Sequence, residues 1–578
     1  MIDCNKDMNK NYLIKIIELL PNSFRKKALI LIFLLIFGII IEMISVTIMI
    51  PLFSILNDIG FVQKSSILNF IYTYIASSSY QLLILFSLIL IIFIYLLKTI
   101  FLLYSSFYQV KFSTNFSSFL TQKLFSKYLK KEYDFHLSNN SSRLIRNVTV
   151  ETNLFAIIMQ NILILLTEFS VGFGLILLLF IFSPLNSLLI ILLFSSFAFI
   201  FHFFTKKKIL EWGKKRQDLD GIINKHIHQG LGGIKEVKIM SKENFFIKHY
   251  VEIVENRAKY LQKNTLLQST PRLFLEFITI LGLTVLILIQ LLIYKKNDML
   301  PVLALFGASA FRLIPSINRI MGSLQMIKFN QPVIDLLFKE LKEPEQKIEI
   351  PNAHIDFYNK IEFKNVSFKY EKNLPCVLEN INIEFKKNTI IGIIGSSGSG
   401  KSTLIDILSG LLKPTEGSIM CDNFDINSYT TSWRSKIGYV PQFIYLLDDT
   451  IRNNIAFGID QESIDDVKVN NAINLSELDL FVNQLPKGVE TIVGERGAKI
   501  SGGQRQRIGI ARALYHMPEI LIFDESTSAL DQDTEISIMN SIYKLNLNKT
   551  IFIITHKTST LKNCNEIYKI ENKNLIKI

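Results

Sequence analysis

Cysteine is scarce in this chain: Cys4, Cys376, Cys421 and Cys564 are the only four in 578 residues, and no two stand in C-x-x-C spacing. They read as structural or incidental thiols, not as a disulfide framework or a redox centre. No cleavable leader is expected either. Residues 1–27 are polar and basic, and the first apolar run is long enough to span a bilayer, so it is expected to anchor the chain. Acidic residues fall short of basic ones, 50 against 63, which leaves a formal net charge of +13. This excess does not imply a nucleic-acid partner. Much of it sits in residues 109–153 and 206–272, where a membrane protein carries its cytoplasmic positive charge.

What the chain has in plenty is apolar surface. Hydrophobic residues make up 49% of it and the mean hydropathy is +0.31, so part of it belongs in lipid. The apolar runs lie before about residue 330, and the remainder has an ordinary soluble composition. Six spans are predicted: Ala28 to Phe53, Gln81 to Tyr108, Leu154 to Phe182, Leu185 to Thr205, Leu273 to Tyr294 and Asp298 to Met321. Ser183 and Pro184 make the third and fourth a tight hairpin. Segment 54–80 carries only Lys64, so the basic loops are cytoplasmic and so are both ends of the chain. Apolar residues at helical spacing inside those loops predict that spans two to five continue as helices into the cytoplasm. "SSILNFIYTYIA", too short to span, suits a small interfacial helix on the outer face. The predicted organisation is a transmembrane domain over 1–338, a charged linker over 339–354 and a soluble domain over 355–578.

The sixth span carries two cations, Arg312 and Arg319, on either side of Pro315. If the helix begins outside near Asp298, Arg312 lies about 21 Å deep and Arg319 about 31 Å, at the inner edge of the core. Lys98 and Arg272 fall at similar inner depth. A central arginine costs roughly 2.5 to 3.5 kcal/mol even on a lenient insertion scale, so Arg312 requires an anion or a wet cavity. Two sources of anion are open: an internal carboxylate from Glu42, Glu168 or Glu276, or a substrate bearing phosphate.

The soluble part opens with strand-like "IEFKNVSFKY", and "NTIIGIIGSSGSGKSTLIDILSG" then supplies a β-branched run, a glycine-rich loop and a helical pattern. This is G-x-x-x-x-G-K-S in strand–loop–helix context. Gly395, Ser396, Ser397, Gly398, Ser399 and Gly400 let backbone N–H groups close round phosphates. Lys401 reaches the β- and γ-phosphates, Ser402 offers its hydroxyl to Mg2+, and Thr403 follows in the same turn. "EILIFDESTSALD" delivers adjacent carboxylates at the end of an apolar strand: Asp524 to orient Mg2+ and Glu525 to polarise the attacking water.

With "ISGGQRQR" before that strand and "IFIITHK" after it, residues 355 to 578 resemble the α/β P-loop nucleotide-binding domain of ABC transporters. The resemblance implies ATP and Mg2+ as cofactors and gives roles to matching residues: Tyr370 stacks on adenine, and Gln442 senses Mg2+ and the γ-phosphate. Ser501, Gly502, Gly503 and Gln504 form the signature, Asp531 couples the two sites, and His556 is the switch histidine. Ile500 stands where the family usually has Leu, and Lys557 where Arg is common, and neither change removes a catalytic group. In this family the signature completes the ATP site of the opposite subunit, so one cassette with six spans implies half a transporter, with a homodimer the simplest completion and a heterodimer open. "GERG" at 494–497 resembles the segment exporters place before the signature. The expected fold is therefore a six-helix membrane domain of ABC exporter type fused to a cytoplasmic ATPase.

"TPRLFLE" at 270–276, "FRLIPSINRI" at 311–320 and "IEMISVTIMIPLF" in span one are similar to PglK-type flippases. Those bacterial inner-membrane ABC proteins turn lipid-linked oligosaccharides across the bilayer for protein glycosylation. The resemblance implies a polyprenyl-pyrophosphate glycan as cargo, its pyrophosphate escorted by Lys98, Arg272, Arg312 and Arg319 while its tail stays in lipid. The alternatives are export of another lipid, such as lipid A, of a glycolipid or of a drug, and more remotely an ATP-gated channel. A peptide exporter fits less well, because the short amino-terminal segment has no room for a processing peptidase.

Overall fold

The structure is a computed structural model and describes residues 11–48, 80–182, 184–293, 299–343, 354–371, 373–525, 532–544, 549–555 and 561–578. The outer helix expected within 54–80, the end of the first span, and the hairpin residue Ser183 lie outside that set. The chain divides into two compact units: Met1–Lys131 with Ser138–Glu345, and Glu132–Leu137 with Gln346–Ile578.

The first unit is all helix. It comprises α1 (Tyr12–Leu19), α2 (Asn22–Thr47), α3 (Tyr80–Leu129), α4 (Tyr133–Ser138, most of which groups with the second unit), α5 (Ser141–Arg146), α6 (Thr152–Phe182), α7 (Pro184–Gly232), α8 (Ile234–Ile239), α9 (Glu243–Ile293), α10 (Met299–Phe329) and α11 (Gln331–Lys342). Among the described residues four helical stretches are long and apolar enough to cross a membrane: Asn22–Ser45, Gln81–Leu129, Ser141–Leu177 and Glu243–Val285. The fourth and sixth predicted spans fall on α7 and α10, where several side chains are outside the described set. With 50, 49 and 51 residues, α3, α7 and α9 each far exceed the roughly 20 a bilayer core needs, so they run on beyond it as single rods.

Helix α6 packs against α2, α3, α7 and α10, and α9 against α7 and α10. Val171 and Leu175 of α6, Phe194 of α7, Leu275 of α9 and Leu313 of α10 meet in one buried cluster. Nearer the other end, Phe116 stacks edge-on to Phe155 at 5.4 Å and Phe24 to Phe112 at 5.8 Å, tying α2, α3 and α6 together. Gly213 is required by proximity: a Cβ there would stand 1.9 Å from the Phe329 carbonyl oxygen, so α7 touches the end of α10 backbone to backbone. Residues 339–342, placed in the linker by sequence, are the last turn of α11. Val333, Ile334, Leu337 and Phe338 give that helix a buried stripe at i, i+1, i+4 and i+5 that holds it to the bundle.

The second unit is α/β. A four-stranded antiparallel sheet has the order β2-β1-β4-β5, from β1 (Lys360–Phe368), β2 (Leu378–Lys386), β4 (Glu416–Cys421) and β5 (Phe424–Asp425). A six-stranded sheet has the order β10-β9-β3-β8-β7-β6, from β3 (Ile390–Gly395), β6 (Ile437–Val440), β7 (Ile520–Asp524), β8 (Thr550–Ile554), β9 (Glu566–Glu571) and β10 (Asn574–Lys577). Strands β9, β3, β8, β7 and β6 pair in parallel and β10 runs antiparallel at the edge. Strands β7 and β8 are buried at every position, which is why their sequences, "ILIFD" and "TIFII", are runs instead of alternations. Parallel pairing delivers the carboxyl ends of β3, β6, β7 and β8 to one edge of the sheet, the edge at which open α/β sheets hold ligands.

Candidate nucleotide site

Strand β3 runs straight into the glycine-rich loop, and α12 (Lys401–Leu408) starts as the loop ends. Gly398 and Gly400 have φ of +79° and +103°, the left-handed region that a side chain disfavours, and these two residues let the loop curl back on itself. Lys401 is 7% exposed and its Nζ donates to the carbonyls of Gly395 (2.9 Å) and Ser396 (3.0 Å), so the ammonium is held in the bowl of the loop. Ser399 Oγ is buried with no hydrogen-bond partner among the described residues. A cationic bowl with an unsatisfied hydroxyl at a helix N-terminus fits a phosphate chain.

The neighbouring strands bring the rest. Asp524, the last residue of β7, is 6% exposed, and the Tyr439 hydroxyl on β6 donates to its Oδ2 at 3.3 Å. Burial raises the Asp524 carboxyl above its usual range, with Glu525 adding to the rise and Tyr439 and Lys401 opposing it. Asp406 on α12 is pushed up to about 6 by burial and by the charge of Asp524. A buried and a half-buried carboxylate, each raised in this way, suit a cation, and Asp524, Ser402 and Gln442 supply the oxygen donors that Mg2+ prefers. Glu525 has φ of +47°, uncommon for a non-glycine residue, and the turn aims its carboxylate back over the loop. There its Oε2 accepts from Gln442 Nε2 at 2.9 Å, and Oε1 lies 4.0 Å from Lys401 Nζ.

Tyr370 follows β1, stands 40% exposed, packs edge-on to Phe368 at 5.0 Å and shares a hydrogen bond with Thr403 Oγ1 at 3.0 Å. Its ring is thus fixed beside the loop with a free face. Glu132, grouped with this unit, accepts from Lys413 at 2.5 Å, and the hydroxyl of the next residue, Tyr133, is raised by burial and by the charges of Asp406 and Tyr370. Ser501 caps α13 (Gly502–Tyr515) through a capping box: its Oγ accepts from the Gln504 amide at 3.2 Å and its own amide donates to Gln504 Oε1 at 2.8 Å. No hydrogen bond or ion pair among the described residues joins Ser501, Gly502, Gly503 or Gln504 to the loop of Gly395–Lys401. Ile500 packs against the second hydrophobic core, as Leu would. Just before it, Gly494, Arg496 and Gly497 all take positive φ in a tight turn. Asp531 and His556 lie outside the described residues. Sequence reasoning missed Asp406 and Tyr439. Tyr439 had a signal, three residues before Gln442 in "YVPQ", but Asp406 becomes visible only when α12 and β7 pack together.

In the helical unit the structure gives three of the four intramembrane cations a carboxylate. Lys98 Nζ stands 2.9 Å from Glu42 Oε2 and donates to Ser45 Oγ at 3.0 Å. Arg319 Nη1 meets Glu168 Oε1 at 2.6 Å, and Ser316 Oγ donates to the other oxygen at 2.6 Å. Arg272 pairs with Glu276 one turn on at 3.1 Å, both largely exposed. Arg312 is carried on α10, and its side chain lies outside the described set.

A model described as "ABC transporter transmembrane region" matches residues 28–311, and one described as "ABC transporter" matches residues 378–528. The leukotoxin translocation ATP-binding protein LktB of Mannheimia glucosida is 41% identical over 243 residues, 42% of this chain and 34% of that protein. Its counterpart in Bibersteinia trehalosi is 40% identical over 246 residues, with the same two shares. The chain therefore spans about a third of the length of these curated relatives. They are named for toxin translocation and not for lipid-linked oligosaccharides. A solved structure described as a bacterial Atm1-family ABC exporter with ATP bound matches 96% of this chain and 95% of its own with TM-score 0.79 at 22% identity, a likeness of fold. Taken with the P-loop edge and the long helices, these matches show that the chain has the ABC exporter fold, an ABC transporter transmembrane region followed by a nucleotide-binding α/β domain.

Proposed function

We propose that the protein is an ATP-driven exporter of the bacterial inner membrane that turns a polyprenyl-pyrophosphate-linked oligosaccharide from the inner to the outer leaflet. The observation that carries the ATPase half is the meeting of Lys401, Gln442 and Glu525 over one glycine-rich loop. Mg2+ bound by Asp524, Ser402 and Gln442 would neutralise charge on the transferred phosphoryl group. Lys401 holds the β- and γ-phosphates, Glu525 takes the proton side of the attacking water, and Tyr370 offers its free face to the base. His556 and Asp531 are assigned the switch and coupling roles on the resemblance of their motifs. Ser501–Gln504, capped and solvent-facing on its own domain, serves the loop of a second copy, so the working particle is a homodimer.

The cargo half rests on charge. Lys98 is largely consumed by Glu42 and Ser45, whereas Arg272, in an exposed pair worth at most about 1 kcal/mol, stays open to an anion. Arg319 keeps half its side chain exposed beyond Glu168, and a guanidinium has five donors to share. Arg272, Arg312 and Arg319 are the proposed pyrophosphate contacts. A second reading, export of a polypeptide, is supported by the toxin-translocation names of the curated relatives. Proteoliposomes separate the two. The reading expects ATP-dependent loss of a fluorescent lipid-linked oligosaccharide from the leaflet facing the ATPase, reduced by Arg272→Ala with Arg319→Ala. No flipping by a particle that hydrolyses ATP normally would overturn the glycolipid cargo and leave the polypeptide reading.

A further inference from the structure

Strands β6 and β7 lie side by side and parallel, with Tyr439 opposite Ile522. Asp524 stands two residues beyond Ile522 and so shares that face of the sheet with Tyr439. The face is covered by the first hydrophobic core: Ile520 and Ile522 belong to that cluster, and the Tyr439 ring packs against it. Strand register and packing together fix where the phenol ends. Its hydroxyl donates to Asp524 Oδ2 at 3.3 Å. That is longer than the roughly 2.5–2.7 Å of a strong O–H···O⁻ bond, so what the hydroxyl supplies is mainly direction.

Direction matters at this carboxylate. Asp524 is 6% exposed, and the charges of Glu525 and Lys401 both act on it. Lys401 is itself engaged by the carbonyls of Gly395 and Ser396. Mg2+ tolerates little departure from octahedral geometry, so a carboxylate that serves it has to present one chosen oxygen. A second donor reaches the end of β7 from the same neighbouring strand, Gln442 Nε2 to Glu525 Oε2 at 2.9 Å. Gln442, however, lies past the end of β6 and is exposed, whereas Tyr439 is held within the strand. The two adjacent carboxylates are thus served by one donor fixed in the sheet and one carried on a loop.

We propose that Tyr439 is a positioning residue for Mg2+: its hydroxyl holds Asp524 Oδ2 so that Oδ1 is turned to the cation, and it does so from inside the sheet, independently of Gln442. The proposal rests on the reading that Asp524, Ser402 and Gln442 hold Mg2+, and it is independent of the cargo. Tyr439→Phe removes the hydroxyl and keeps the ring that packs on the core, so it separates the two roles of the side chain.

The test is binding of a fluorescent ATP analogue to the full-length protein in nanodiscs, titrated once with excess Mg2+ and once with EDTA. The ratio of the two affinities reads the contribution of the cation and needs no turnover. Tyr439→Phe is expected to lower that ratio about ten-fold, the lower end for an outer-shell partner of a metal ligand, as suits a long bond. The loss should lie in the Mg2+ arm, with the EDTA affinity and the size-exclusion profile matching the parent. In steady-state hydrolysis the same variant should need about ten-fold more Mg2+ for its half-maximal rate. Asp524→Asn should also lower the ratio, and adding Tyr439→Phe to it should change the ratio by less than about two-fold, because both act through one carboxylate. A ratio that Asp524→Asn lowers and Tyr439→Phe leaves unchanged overturns the positioning role and spares the metal site. A ratio that Asp524→Asn leaves unchanged overturns the metal reading on which the proposal stands. An equal loss of affinity in EDTA, or a full effect of Tyr439→Phe in the Asp524→Asn background, means that the hydroxyl acts elsewhere and overturns the proposal too.

Discussion

Lys98→Ala is the sharpest test of how the membrane domain handles charge. The ammonium lies 2.9 Å from Glu42 and 3.0 Å from Ser45 Oγ, with the two ionic side chains 12% and 2% exposed. Removing it takes the counter-charge from a carboxylate that is almost fully enclosed, and breaking a buried pair from one side costs about 3–5 kcal/mol. At roughly 2 °C per kcal/mol for a large unit, the melting midpoint should fall by about 6–10 °C. Adding Glu42→Gln removes the uncompensated negative charge, so the double variant should regain most of that loss. The assay is thermal melting of detergent-purified, nucleotide-free protein, followed by size exclusion and paired with cargo flipping in proteoliposomes. A structural pair restores both stability and flipping in the double variant. An unchanged melting midpoint for Lys98→Ala, or stability recovered while flipping stays absent, would refute the pairing argument and return Lys98 to the cargo site.

Glu525→Gln should leave binding of a fluorescent ATP analogue within a few-fold of the parent and cut steady-state hydrolysis by about 10²–10⁴, and near-normal turnover would place the base elsewhere. Asp406 is raised from 3.8 to about 6, so the folded state binds its proton more tightly and loses stability as pH climbs through that window. Asp406→Asn should therefore stabilise the nucleotide-free protein by up to about 3 kcal/mol at pH 8 and by almost nothing at pH 4, as read by denaturant melts. Cysteines replacing Ser396 and Ser501 should cross-link between chains when ATP is present, and a fully active monomer on light scattering would end the homodimer proposal.

The loop was legible because it is local: strand, glycines, lysine and helix lie within one short stretch, and each glycine answers a backbone need. Arg272–Glu276 was equally readable, one helical turn apart. The other pairs were not. Glu42 and Glu168 stood out as carboxylates within predicted spans, but matching each to Lys98 or Arg319 depends on how four helices are rotated, and Ser316 joins Glu168 across 148 residues. Gln442 and Glu525, 83 residues apart, meet because β6 and β7 are parallel neighbours, a fact of sheet order that motif spacing does not contain. The apolar cavity between α6, α7 and α10 has no signature at all, since three helices share its wall and none of them alone differs from an ordinary apolar span.

The great length of α3, α7 and α9 turns them into mechanical levers. A continuous helix of about 50 residues is about 75 Å long; α3 and α7 have no internal proline to absorb bending, while α9 carries Pro271. Tilting such a rod by about 5° about one end carries the other through roughly 6–7 Å, comparable with a full turn of helix. Displacements that open one end of the bundle and shut the other therefore need no melting of secondary structure. They need small rotations where the helices pack, as at Gly213, which sits against the Phe329 carbonyl and leaves no side chain to obstruct the pivot.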